Sequence, residues 1–217
     1  MNPFIPSSKL DTQASRVYRM LEAQIVQGEL VPGQELSERS ISAQFRIGRT
    51  PVREALQKLA ANHMVQVEPR RGTFVSRIDP DIATELFLVV WPLEKLLIRC
   101  AIDHASEEEF KQLGALAVLL TSTHEDDNQT LLYAKINDQI AQMARNSYLL
   151  AVLAPMRLLV ERVRFFHGLA KDLKLRECFA DLIAQISLQD KAGSMNAFTA
   201  YADRFETKAM TEISRRQ

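Results

Sequence analysis

Apolar positions recur at helical spacing in three short runs along the first part of the chain, and the pattern then turns to alternation. Ala14, Val17, Leu21 and Ile25, with Tyr18 alongside, form a stripe that predicts an amphipathic helix from about residue 14 to 27, closed by Gly28. Leu36, Ile41, Ala43 and Phe45 mark a second, short helix. Ser37 stands at its N-cap, with Ser40 rather than Glu three residues on, so the capping box is incomplete. Gly48 offers a tight turn. A third helix is expected to open at Thr50-Pro51, with Thr50 as cap and Pro51 at the first helical position, where no backbone N–H is needed. Val52, Ala55, Leu56, Leu59 and Ala60 give it an inward face, and Arg49, Arg53 and Lys58 lie off that face. Residues 64–68 alternate, Pro69-Arg70-Arg71-Gly72 reverses the chain, and residues 73–76 return. Two helices joined by a turn, the second basic at its start, followed by a hairpin, predict a winged helix-turn-helix.

After Asp79-Pro80-Asp81 the strand signals vanish and helical spacing continues almost to the end. Six helices are expected, at about 82–104, 106–123, 128–146, 147–166, 175–188 and 193–214. Pro92 and Pro155 fall inside the first and fourth and should kink them. Ser106 and Glu109 make a capping box. The fold class is therefore mainly α: a flexible arm over 1–12, the winged helix-turn-helix over 13–78, a linker at 79–81 and an all-helical domain over 82–217.

The runs GELVPGQELSERSISAQF, RTPVREALQKLAANHMV and PRRGTFV, in this order and spacing, resemble the N-terminal domain of the GntR family of bacterial transcription regulators. Gly48 stands where the family usually has Ser or Thr, and His63 where it usually has Gly. The resemblance implies DNA contacts by Arg39, Arg49, Thr50, Arg53, Arg71 and Gly72. The chemistry agrees, since Arg reads guanine O6/N7 bidentately and a helix start with a Thr suits a phosphate. Glu54 is the expected intramolecular partner of one of these arginines. The helical remainder resembles the FadR C-terminal (FCD) domain subgroup, which implies a homodimer, a small organic effector and, in many members, a metal inside the bundle.

That metal is held in the subgroup by an Asp and a His four residues apart and by two later His. With Asn146 and Asp190 as anchors, these positions hold Tyr133, Asn137, Phe179 and Tyr201, and the Arg that often enters the pocket falls at Val90. The four histidines, His63, His104, His124 and His167, are not spaced to replace them. No metal and no cofactor are expected. The replacing set either lines an aromatic pocket for a small ligand or merely fills the space. Arg157, Glu161 and Arg164, at i, i+4 and i+7, either clasp an anion or, as the preferred reading, form a solvated ion-pair stripe.

Composition changes this picture little. The chain has 217 residues, 47% hydrophobic and 25% charged, with a net charge of zero. The zero conceals an asymmetry, because residues 1–79 carry eleven basic against eight acidic groups and the remainder sixteen against nineteen. There is no long uncharged apolar run for a membrane and no apolar leader at the start. Cys100 and Cys178 stand alone, as core filler in a reducing compartment, so a cytoplasmic location is expected. No phosphate loop, nucleophile elbow or metal cluster supports an enzyme. The reading is a cytoplasmic, homodimeric transcription regulator, more often a repressor among the family's members. Its partners are a palindromic double-stranded DNA operator and a small organic effector, with no membrane. The alternative is a DNA-binding dimer whose helical domain only oligomerises.

Overall fold

The structure, a computed structural model, describes residues 12–122 and 126–215, and the side chains of all of these but 126–131. The expected arm, Thr12 excepted, and the expected helix end at Thr123 lie outside the described residues. The chain divides into two compact units, residues 1–77 and 78–217.

In the first unit, α1 (Gln13–Val26) is capped by the Thr12 hydroxyl, which accepts from the Ser15 N–H at 3.1 Å. Its buried face is Ala14, Val17, Leu21 and Ile25, laid against α3. The Tyr18 hydroxyl accepts from the Asn62 amide at 2.8 Å and ties the two helices at one end. α2 (Glu38–Phe45) has Ser37 as its cap. Two local expectations are corrected here. The left-handed turn after α2 is made by Arg46 at φ 53°, not by Gly48. α3 (Arg49–Ala61) has Gly48 as its N-cap, so Thr50 does not cap it and Pro51 is its third residue. Pro51 costs no bond there, because the first four N–H groups of a helix have no intrahelical acceptor.

His63, at φ 58°, stops the chain after α3. β1 (Val65–Glu68) and β2 (Gly72–Val75) then pair antiparallel, from Val65 opposite Val75 to Glu68 opposite Gly72. Glu35 adds a bridge to Phe74, so the segment before α2 edges the hairpin. At the tip Arg70 takes φ 64° and Gly72 takes φ 129°, the second being a region that only glycine enters freely. The fold is thus a winged helix-turn-helix, built where the periodicity places it.

The second unit contains, among the described residues, α4 (Pro80–His104), α5 (Glu107–Ser122), α6 (Asp126–Ala144), α7 (Ser147–Phe166), α8 (Leu173–Ser187) and α9 (Lys191–Ser214). Asp79 caps α4 through the Ile82 N–H at 2.9 Å, and Pro80 occupies its first turn. The capping box of α5 forms as expected: the Ser106 N–H donates to Glu109 at 2.8 Å and the Glu109 N–H to the Ser106 hydroxyl at 3.4 Å. A short 3-10 turn (Leu169–Lys171) precedes α8, whose cap is Asp172. α9 starts two residues earlier than the apolar spacing indicates, because the Asp190 side chain accepts from the Gly193 N–H and caps it there. α4 packs against α6, α7 and α9, while α8 packs between α5 and α9.

An aromatic cluster fills the centre of this unit. Trp91 stacks on Phe87 at 5.4 Å and meets Phe198, Tyr201 and Phe205 edge-on. A second chain of rings runs from Tyr133 through Phe179 to Tyr201, at 4.8 and 5.2 Å.

Candidate nucleic-acid interface and the cavity of the helical unit

The head of α3 starts from a residue with no side chain to cap it. Gly48 makes no side-chain hydrogen bond to the first turn, so the N–H groups there lack a side-chain acceptor and the helix dipole faces outward. Arg49, Thr50 and Arg53 are all exposed on this turn, and Arg39 is exposed on α2. Arg53 is held by Glu38, the first residue of α2. Its Nε and Nη2 donate to the two carboxylate oxygens at 2.9 Å each. The hydrogen bond from Arg53 lowers the Glu38 pKa, and Glu38 in turn raises that of Arg53. Glu38 therefore takes the role expected of Glu54. The two residues stand 15 apart, and only the crossing of α2 on α3 brings them together.

The wing carries the other named residues. Arg71 is 74% exposed and pairs with Glu68 of β1 at 2.6 Å, with its guanidinium 6.0 Å from the Phe74 ring. Gly72 opens β2 and is exposed, which lets a second backbone approach closely. Arg53 and Arg71 are thus each paired with a carboxylate, with part of each side chain still exposed. Such a surface can grip phosphates and read base edges.

In the helical unit, the four residues expected at the metal positions do gather. Asn137, Phe179 and Tyr201 line a cavity of about 40 Å³, and Tyr133 stacks on Phe179 beside it. They do not fit a metal. Phenylalanine has no donor atom, burial raises the Tyr133 and Tyr201 pKa values, and neutral phenols are poor ligands. Among the described residues no three His, Cys, Asp or Glu side chains come together as a metal set.

The space between those rings holds a guanidinium. Arg164 is 5% exposed, lies 4.4 Å from the Tyr133 ring and 5.3 Å from the Phe205 ring, and donates to the Tyr201 hydroxyl. Its Nε is 3.2 Å from Glu161. Arg157 donates to both oxygens of Glu94, at 2.6 and 2.7 Å, and to the Asn137 carbonyl at 3.3 Å. The reading of Arg157, Glu161 and Arg164 as a solvated stripe is therefore corrected, since all three line the cavity. Helical spacing correctly puts them on one face of α7. That face is interior because it turns toward rings from α6, α8 and α9, and no charge pattern within α7 carries that information.

Residues 13–75 match the family model described as bacterial regulatory proteins, gntR family. The transcriptional repressor RspR of Escherichia coli K12 is 35% identical over 45% of this chain and 43% of its own length. The regulator YdhC of Bacillus subtilis 168 is 26% identical over 61% of each chain. The chain thus spans less than two thirds of the length of these curated relatives. Two solved structures share the fold over nearly all of it, each with a TM-score of 0.74. They are E. coli McbR/YncC (18% identity, 89% of this chain, 94% of that one) and a GntR transcriptional regulator from Rhodococcus sp. RHA1 (17%, 92% and 98%). Those of the four that are named by role are transcription regulators, not enzymes.

Proposed function

We propose that this chain, whose residues 13–75 match the gntR family model, is a transcription regulator that binds a double-stranded DNA operator through the head of α3 and the wing. The observation that carries the reading is the exposed set Arg49, Thr50 and Arg53 on an uncapped helix start, with Arg53 oriented by Glu38. Arg49 and Arg53 lie one turn apart and reach base edges in the major groove. Thr50 and the free N–H groups take a phosphate, while Arg39, Arg71 and Gly72 engage the flanking backbone. Repression is supported by relatives named as repressors, RspR and GlaR of E. coli.

One winged unit with an excess of three basic groups grips DNA weakly. A homodimer on a palindromic operator multiplies that grip, so the helical unit, of the FCD type by its helix order, serves as the dimerisation and effector domain. Among the described residues no helix is long and apolar enough to cross a membrane, which supports action in the cytoplasm beside the DNA. A gel-shift titration of the full chain against operator and scrambled duplexes tests the DNA reading. Equal affinity for both duplexes at every salt would refute it. Light scattering near 24.6 kDa at micromolar concentration, with and without DNA, would refute the dimer. The small cavity favours a domain that only dimerises over one with a bulky effector, and leaves room for a small one.

A further inference from the structure

We propose that Arg46, in the turn between α2 and α3, is a further DNA contact that clamps a backbone phosphate beside the head of α3, and that the chain keeps a strained residue in this turn for that contact. The proposal deepens the DNA reading above and rests on it.

The turn itself would be served better by glycine. The Arg46 N–H donates to the Ala43 carbonyl at 3.4 Å and the Ile47 N–H to the Ser42 carbonyl at 3.1 Å, the paired bonds that close a helix through one left-handed residue. Arg46 is that residue, at φ 53° and ψ 44°. The Ser42 hydroxyl donates to the Ile47 carbonyl at 2.5 Å and pins the turn a second time. In this conformation a Cβ crowds the following carbonyl oxygen, a penalty that glycine escapes. Such strain persists only where the surroundings hold it, and it gathers at functional positions.

The contacts that offset this strain elsewhere are missing here. Among the described residues, five non-glycine residues have positive φ. Arg145 donates to the carbonyls of His104 and Met143 and to Glu109, and Gln189 donates to Glu107, so both are tied into the helical unit. His63 and Arg70 shape the approach to the wing and its tip. Arg46 is exposed and, among the described residues, makes no ion pair or side-chain hydrogen bond. Arg53 and Arg71 each share their charge with a carboxylate, whereas Arg46 keeps all of its own for an outside acceptor.

Its position names that acceptor. Arg46 lies two residues before Gly48, the N-cap of α3. A chain spans at most about 3.6 Å per residue, so the two Cα atoms are within about 7 Å of each other. The first turn of α3 presents N–H groups without a side-chain acceptor, where a phosphate can sit. That phosphate, or the next along the strand, is within reach of the Arg46 guanidinium, whose paired N–H donors suit phosphate oxygens. Gly48 has no side chain to make the contact itself. A phosphate carries no base information, so Arg46 adds affinity for any duplex and no discrimination.

The probe is therefore a fluorescently labelled duplex of random sequence, titrated with the full-length protein by anisotropy at several salt concentrations. Arg46→Gly and Arg46→Asn place residues that enter the left-handed region readily, so both should fold, with urea midpoints at or above the parent's. Both should bind roughly three- to tenfold more weakly per bound subunit near about 0.1 M salt. The slope of log affinity against log salt should flatten by about 0.9 per bound subunit. Arg46→Lys retains the charge and should keep the parent's slope. Parent-like affinity and slope in Arg46→Gly overturn the proposal, as does a slope in Arg46→Lys as shallow as that in Arg46→Gly. Lower urea midpoints in both Arg46→Gly and Arg46→Asn overturn the strain on which it stands. The two readings separate cleanly. A parent that binds no duplex at any salt sinks the DNA reading and this one together, whereas a parent that binds, with Arg46→Gly matching it, sinks the Arg46 contact alone.

Discussion

Replacing Arg53 by Ala and Glu38 by Gln, singly and together, tests how the head of α3 reads DNA. A guanidinium has five N–H donors, and Glu38 uses one on Nε and one on Nη2. Both N–H groups of Nη1 and one of Nη2 remain, and these form the end-on fork that can span guanine O6 and N7. Arg53 can therefore meet a base while still held. The ion pair is solvated, with side-chain exposures of 62% and 33%, and such pairs are worth a few-fold in an equilibrium at most. A good bidentate base contact is worth roughly ten- to a hundredfold in discrimination, so the base contact decides the outcome.

Arg53→Ala should accordingly reduce the ratio of operator to scrambled affinity by roughly ten- to a hundredfold. Glu38→Gln should act oppositely on the two terms. Removing a carboxylate near the phosphates raises affinity for both duplexes, while loss of the charged clamp lowers discrimination by up to about fivefold. The two effects on discrimination are not independent, so in the Arg53→Ala background Glu38→Gln should change it no further. Fluorescence anisotropy on operator and scrambled duplexes at several salts supplies all four corners of the cycle. An unchanged ratio in Arg53→Ala would refute the base contact, and an equal effect of Glu38→Gln in both backgrounds would refute the clamp.

Three further outcomes are expected. His63 holds φ 58°, a conformation that costs a non-glycine residue about 1–2 kcal/mol, and glycine's larger unfolded entropy offsets part of this. His63→Gly should stabilise the winged unit by about 0.5–1 kcal/mol in urea unfolding, and a lower midpoint would contradict the strain. The Glu109 pKa is pushed down to about 2, chiefly by the Ser106 N–H, then by Arg145 and the Ser106 hydroxyl. A depressed carboxyl stabilises the fold above its unfolded pKa near about 4.3 and loses that contribution as pH falls toward 2. Glu109→Gln should cost about 1 kcal/mol at neutral pH after solvent screening and flatten the loss of stability over that window, as read by melts from pH 7 to 2. Protein purified without a His tag should carry no stoichiometric zinc, nickel or manganese, and chelator should leave its melting temperature unchanged. One tightly held equivalent mapping to residues 78–217 would overturn the non-fit of Tyr133, Asn137, Phe179 and Tyr201 to a metal.

The elements of this protein are largely local matters, and the sequence by itself determined them. The stripe of Ala14, Val17, Leu21 and Ile25 buries as a set because residues three and four apart share a helix face, whatever covers it. Ser37 and Ser106 cap their helices as read, because a cap needs only the N–H three residues on, whereas Asp79, read as linker, also caps a helix that begins at Pro80. Where two local solutions compete, the sequence was less decisive. Arg46 rather than Gly48 took the left-handed turn, because the helix ended at Phe45, three residues before the glycine. Tertiary structure alone decided which charges work together. Glu38 and not Glu54 holds Arg53, and Glu94 finds Arg157 from 63 residues away. Arg164 leaves solvent because its helix turns it toward Tyr201, 37 residues further on. A charged side chain has the same spacing along a helix whether it meets water or a ring. Its partner, its burial and thus its chemistry depend on surfaces that meet only when distant segments pack.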